Sequence, residues 1–500
     1  MNLPRTPAAL LSTTAVAARR RPGRLRSSLI RLLTVLTTAT LMVCAGCADP
    51  GSESGKVTIT LAGPNQWNND PKSFGPAWED LVARFEEAEP SINVETTVLP
   101  LNQFAQTLST QLAAGTAPEL VFSQAPHKAE QVTALNAYLE QPNPYVEGNE
   151  RWIDLFNQDY FGANATAGRN AADDYEFIPL NLVIIGVFYN QDLMQEAGVT
   201  APISSYGDLI EACGKIKAAG HIPFAMDGGR LGQGWTQRVI SSMMAAKYAE
   251  QWNQFDAEGN PGKADQVTAK SLARAILTGE LDPTTTPEIA EGLKLFKTFF
   301  DECATPNWSG ITGGAAFTGG EDFAGGRAAM AWGTNFAVGN LADVSWKWGT
   351  MAFPTITTAD SPLATGEPAQ FGAQVGGTNY MIPSTVEGEK LEAAVKFLQF
   401  ASSPTHGQKW LDASGGIPAT ADAKPAPGLD ELMSGEWFKA PVVQGTGFVP
   451  KAESTKNIWD GYLLNNQPLD AQLAEMKEDW IAWAKESAKE NKWTEDWAKG

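Results

Sequence analysis

The sequence predicts an α/β protein built as two lobes, and three observations carry that expectation. Its 500 residues, 43% of them apolar, exceed what one hydrophobic core usually holds. From residue 56 onward, strand-like and helix-like periodicities alternate, the pattern of parallel strands joined by helical crossovers. Near the middle, Val183-Ile184-Ile185-Gly186-Val187-Phe188-Tyr189 is a continuous apolar run, which suits a strand covered on both faces and able to carry the chain between lobes.

Residues 1–46 read as an address rather than as structure. Arg5, Arg19, Arg20, Arg21, Arg24, Arg26 and Arg31 fall there with no Asp or Glu, ahead of an apolar, Thr-rich stretch over residues 32–43. That stretch has the length of a signal-peptide core and is too short for a membrane span. It ends in Leu41-Met42-Val43-Cys44-Ala45-Gly46-Cys47. The small residues before Cys47 resemble the bacterial lipobox, which implies cleavage there and acylation of Cys47 by palmitate or a similar chain; Cys44 stands where that motif usually has Leu. Residues 47–55 are a polar leash. Without its Arg-rich start the chain is more acidic than the formal net charge of −20, which argues against nucleic acid and against an electrostatic grip on anionic lipid. The expected membrane contact is the lipid anchor alone.

In the body, residues 56–61 are β-branched and alternate as a strand, and Trp78, Leu81, Val82 and Phe85 follow at helical spacing. Residues 92–98 alternate as a second strand. Phe104, Leu108 and Leu112 mark a helix that stops at Gly115, and Leu120-Val121-Phe122 is a short third strand. Strands joined this way receive ligands at their carboxyl ends. Three later groups, Leu293/Phe296/Phe300, Ala394/Phe397/Leu398/Ala401 and Leu473/Met476/Trp480/Trp483, keep helical spacing, which assigns their aromatics to the core. The Gly-, Pro- and Thr-rich residues 355–372 read as a long surface loop. Cys213 and Cys303 are the cysteines left outside the leader and the lipid site. They can bridge in an oxidising compartment or lie buried as separate thiols, and spacing does not decide between the two.

Several segments, in order, resemble the family-1 extracellular solute-binding proteins, the maltose-binding-protein-like group. The most specific are residues 112–122 (LAAGTAPELVF) and 188–199 (FYNQDLMQEAGV), supported by residues 323–330 (FAGGRAAM), 375–383 (VGGTNYMIP), 394–400 (AVKFLQF) and 415–418 (GGIP). The resemblance implies a two-lobe periplasmic-binding-protein-like fold of type II, with hinge strands between the lobes and a ligand cleft. Along that chain path, residues 56–180 and 354–404 make the first lobe, and residues 181–353 and 405–500 the second. It also implies a lipid-anchored monomer on the outer face of the cell membrane. Such a protein hands a sugar or oligosaccharide to the permease subunits of an ABC importer, without a cofactor and without catalysis.

Sugars offer hydroxyl rims and apolar C–H faces, so their sites combine aromatic platforms with amides and carboxylates. Among the 16 Trp, the family's chain path puts Trp67 beside Gln66, Trp235, and Trp332 with nearby Asn335 along the cleft; Trp332 matches an aromatic that stacks on sugar in that family. Trp67 comes later than the strand-end aromatic of many relatives. The polar candidates are Gln124 after the third strand, Asn181 at the crossover, Asp227, and Gln374; Gly376 and Gly377 let the backbone turn tightly or approach a ligand. A polyamine would want several carboxylates beside aromatics and an anion would want Arg or Lys, whereas these loops are rich in amide and Trp. A glycosidase would need two carboxylates facing one bond, and the available pairs, Asp173-Asp174 and Glu321-Asp322, are chain neighbours. Three His without metal-ligand spacing, and the lack of a G-x-S-x-G or P-loop motif, give no metal or nucleotide site.

Overall fold

In a computed structural model of the chain, the described residues are 55–499 apart from 65–69, 71, 101–102, 163–167, 171, 258, 314–315, 374–376, 434 and 444–459. The leader, Cys47, Gln66, Trp67, Gln374 and Gly376 lie outside them. The β-branched alternation after Lys56 forms β1 (Val57–Pro64), which pairs in parallel with β2 (Ile92–Leu99), Val57 opposite Ile92. On its other edge β1 pairs in parallel with β3 (Leu120–Phe122). The crossovers are the helices Pro76–Ala88 and Phe104–Ala114. Pro76 suits a first turn, and Gly115 closes the second helix in a left-handed conformation. The first helix buries Trp78, Leu81 and Phe85, and the Trp78 ring meets Phe74, Phe397 and Trp410 at 5.5–6.0 Å.

The chain leaves this lobe through β4 (Ile178–Pro179), β5 (Asn181–Leu182) and β6 (Ile185–Asn190). The apolar run beginning at Val183 is therefore not one strand. Between β5 and β6 the Ile184 N–H is taken by the side chain of Asn335 at 3.0 Å, which interrupts the ladder. β6 lies antiparallel to both β8 (Ala328–Thr334) and β9 (Trp348–Met351), and β7 (Ile222–Ala225) runs parallel to β8, giving the order β7-β8-β6-β9. β10 (Asn379–Met381) then enters the first sheet antiparallel between β3 and β4, for the order β2-β1-β3-β10-β4, while β11 (Ile417–Pro418) pairs with β5.

Two expected lobe boundaries move. Residues 354–373 pack on the second lobe rather than the first: Thr355 bonds to Ser204 and Tyr206, and the Phe371 carbonyl accepts from Arg238. Burial of Phe353, Ile356 and Phe371 anchors a segment that composition alone marked as surface loop. The helix Pro404–Ser414, expected to open the second lobe's last part, lies instead on the helix Pro76–Ala88. There the Trp410 ring meets Trp78 at 5.6 Å and Lys409 pairs with Asp80 at 2.9 Å. The chain crosses back between Ala421, bonded to Leu155, and Gly428, whose carbonyl accepts from Thr350.

Cys213 and Cys303 form a disulfide that joins the helices Tyr206–Ala218 and Pro287–Cys303. The helix Leu469–Glu490 packs on the helix Ala269–Leu277 and buries Leu473, Met476, Trp480 and Ala484. No helix among the described residues is long and apolar enough to cross a membrane.

Candidate functional site

The strand ends of the two sheets converge on the β4–β6 crossover. In the first sheet, the residue after β3 is tied to β10 by Ser123 N–H to the Asn379 carbonyl (3.0 Å), and the crossover is tied to the approach of β10 by Leu180 N–H to the Thr378 carbonyl (2.8 Å). In the second sheet, Thr334 at the end of β8 stands opposite Ile185 at the start of β6, and the end of the parallel strand β7 stands beside it, Ala225 opposite Ala331. Asn181 and Gly377 meet at the crossover and Gln124 follows β3 in the first lobe, while Asp227, Trp235, Trp332 and Asn335 belong to the second lobe.

Several of these residues are fully engaged by the scaffold. Trp332 has no exposed surface. Its indole N–H donates to Thr236 Oγ1 at 2.9 Å, and its ring stacks on Phe353 with centroids 5.5 Å apart and planes 6° apart. Trp437 lies close to parallel with it at 6.4 Å. The expected platform is a core residue because its own neighbours cover it. Asp227 is likewise spent on backbone amides: Oδ1 accepts from Gly229 N–H of its own loop at 2.8 Å and Oδ2 from Gly319 N–H, on the segment before β8, at 2.7 Å. An Asp after a strand end closing a turn is the ordinary use of that side chain. Asn335, buried completely, accepts from Ile184 N–H and donates to the carbonyls of Leu182 (3.3 Å) and Gly415 (2.8 Å), which uses its whole amide.

Gly377 is required by the crossing of two backbones. A Cβ there would stand 2.3 Å from Asn181 Oδ1 and 2.8 Å from the Asn181 carbonyl. Asn181 accepts from Thr378 N–H at 2.6 Å, while its Nδ2 is buried with no hydrogen-bond partner. Thr378 Oγ1, Asn379 Oδ1 and Tyr380 OH are in the same condition, and burial pushes the Tyr380 hydroxyl far above its usual range. Gln124 is exposed beyond β3.

Trp235, on the helix Arg230–Ala245, is partly exposed and meets Trp332 edge-on at 6.3 Å. One turn further on, Arg238 lies over the Phe371 ring at 4.4 Å and donates to the Phe371 carbonyl at 3.2 Å; burial pushes its guanidinium down to about 10. Neither Arg238 nor Trp437 stood out in the sequence, although both carried a signal. Arg238 shares a helix face with Trp235 through i, i+3 spacing, and Trp437 comes two residues after Gly435, directly after the polar Glu436, a setting close to the one that singled out Trp235.

Two α/β lobes, joined by three passages of chain with their strand ends facing the joint, define the architecture of a two-lobe binding protein. The chain belongs to the bacterial extracellular solute-binding protein family, whose model matches residues 68–408. A putative binding protein of Brucella abortus (strain 2308) is 24% identical over 186 residues, 37% of this chain and 41% of that relative, so the chain spans well under half the length of the curated relative it matches. Among solved structures, the chain is similar to the apo form of RafE from Streptococcus pneumoniae (17% identity, TM-score 0.57, covering 87% of this chain and 100% of that one). It is similar to a chitin oligosaccharide binding protein (18%, TM-score 0.60, 86% and 100%). It is also similar to an ABC substrate-binding protein of Listeria monocytogenes in complex with cycloalternan (18%, TM-score 0.57, 85% and 98%). At these identities the solved structures establish the shared fold.

Proposed function

We propose that the chain is the extracellular solute-binding component of an ABC importer, capturing an oligosaccharide between its lobes and delivering it to permease subunits as a non-catalytic monomer. The observation that carries this reading is the aromatic wall at the strand ends, where Trp235 keeps exposed surface and is backed edge-on by buried Trp332. A flat ring held rigidly from behind is what a sugar's C–H face packs against. Asn181 Nδ2, buried without a partner, and exposed Gln124 supply amides for hydroxyls on the opposite side. The fold's relatives, whose names include binders of chitin oligosaccharide and cycloalternan, support the same class. Closure on solute shifts an open–closed equilibrium, and the loaded form is the one delivered. Anchoring through an acylated Cys47, preceded by Ala45-Gly46, completes the proposal, and mass spectrometry of the N-terminal peptide tests it.

The main test is a thermal-shift screen of residues 52–500, one compact unit, against mono- and oligosaccharides, with polyamines and anions alongside. Ligand at ~100 times its dissociation constant adds about 2.7 kcal/mol of stability. A shift with one sugar class, lost in Trp235→Ala, is the expected result. A shift with polyamines or anions alone overturns the carbohydrate reading and leaves the fold standing.

A further inference from the structure

We infer that Asn335 is the positioning residue of the hinge, a buried side-chain clamp that sets the open–closed balance, and so the affinity, without touching the solute. The inference rests on the two-lobe binding reading but not on which solute is bound.

Asn335 directly follows β8 of the second sheet. Its backbone N–H donates to the Ile184 carbonyl at 3.0 Å while its Oδ1 accepts from the Ile184 N–H at the same distance. One residue therefore grips both backbone polar groups of Ile184, one of the two residues between β5 and β6. Its Nδ2 then reaches in two further directions, to Leu182 in β5 and to Gly415, which ends the first lobe's helix Pro404–Ser414. The bond to Gly415 joins the lobes directly, and the one to Leu182 joins the second lobe to the crossover.

The backbone confirms how tightly the parts are drawn together. Gly415 has φ +67°, and a Cβ on it would stand 2.0 Å from the Asn335 carbonyl oxygen. The turn after Asn335 also packs on the helix Pro404–Ser414. Only a primary amide of this length offers one acceptor and two donors in a plane. Each bond that breaks leaves a buried polar group unpaired, so rotation of the lobes pivots about the clamp rather than through it. A second asparagine braces the same joint, since Asn181 Oδ1 holds Thr378 N–H of the returning chain against the crossover at 2.6 Å.

The deciding variant is Asn335→Asp, which keeps an acceptor for Ile184 N–H and cannot satisfy the Leu182 and Gly415 carbonyls together, because a carboxyl offers one O–H at most in place of the amide's two N–H groups. Spin labels placed at exposed Glu87 and Lys485, on the helices Pro76–Ala88 and Leu469–Glu490, report the distance between lobes in the ligand-free unit of residues 52–500. A pivot that has lost its interlobe bond gives a shifted or broadened distance distribution, together with a Kd for the sugar found in the screen that rises about threefold or more as the binding-competent fraction falls. A folded variant with a lower melting temperature but an unchanged distribution and an unchanged Kd makes Asn335 merely structural and overturns the inference. If no sugar binds the parent, the proposed function fails while the ligand-free distances still decide this point. Should the variant not fold, hydrogen exchange on the parent decides: the Ile184 amide is expected to exchange as slowly as the amides within β6, and exchange at the rate of exposed loops overturns the pivot.

Discussion

Replacing Trp332 separates a core residue from a sugar platform. The side chain is fully buried, stacks on Phe353, and donates to Thr236 Oγ1 at 2.9 Å. Truncating a buried Trp to Ala costs about 3–5 kcal/mol in transfer and cavity terms. The lost hydrogen bond adds about 1 kcal/mol or less, because the Thr236 hydroxyl still donates to the Gly232 carbonyl at 2.8 Å. A total of about 3–6 kcal/mol is a large share of the roughly 5–15 kcal/mol that holds a typical domain folded. Trp332→Phe keeps a ring against Phe353 and should cost about 1–2 kcal/mol. Urea unfolding followed by far-ultraviolet circular dichroism gives both values, and calorimetric titration with the sugar gives affinity for whichever variant stays folded. The expected outcome is a large stability loss in the Ala variant and near-parental affinity in the Phe variant. An Ala variant within about 0.5 kcal/mol of the parent in stability, yet unable to bind sugar, would refute the assignment and return Trp332 to the open face of the site.

The disulfide closes a chain separation of 90 residues, so the double variant Cys213→Ala/Cys303→Ala should lose up to about 4.6 kcal/mol on a chain-entropy basis; urea midpoints of parent and variant, with and without reductant, measure it. Asp227→Ala leaves the amides of Gly229 and Gly319 without their charged acceptor. It should cost about 3 kcal/mol, read as a fall in the urea midpoint, with sugar affinity kept in the folded fraction. Burial pushes the Glu119 carboxyl up, but Lys390 at 2.6 Å and the Thr60 N–H at 2.7 Å outweigh it and hold it below its ordinary 4.5. Its contribution is therefore complete above that value and is lost as pH falls through the lower folded-state value; Glu119→Gln should flatten that part of a plot of urea midpoint against pH.

The elements were legible where local pattern and tertiary packing agree. Residues 92–98 alternate because one face of β2 is buried, and Trp78, Leu81 and Phe85 recur at helical spacing because one face of their helix meets the sheet. The lobe boundaries were less legible, because membership depends on which surface an apolar side chain finds. Phe371 and Trp410 look alike in sequence, yet one is held by Arg238 in the second lobe and the other by Trp78 in the first. Nor does periodicity reveal the break at Ile184, since the group that takes its N–H is Asn335, 151 residues away.

The candidate site shows the same division more sharply. Amides and carboxylates beyond strand ends attract notice because such positions can face a solute, but they can equally satisfy the backbone groups that a strand leaves behind when it ends. Asp227 and Asn335 do the second, and Asn181 does so through Oδ1, committed to Thr378, while its Nδ2 has no partner. What separates the two uses is the count of remaining donors and acceptors in the folded chain, a quantity that depends on distant residues. Trp235 and Trp332 differ in the same way: both are Trp near Gly and Thr, and the covering of Trp332 by Phe353 and Trp437 leaves it fully buried while Trp235 stays partly exposed. The groups that hold such a joint together and the groups that hold its solute are drawn from the same residue types, because both must hydrogen-bond where water is excluded.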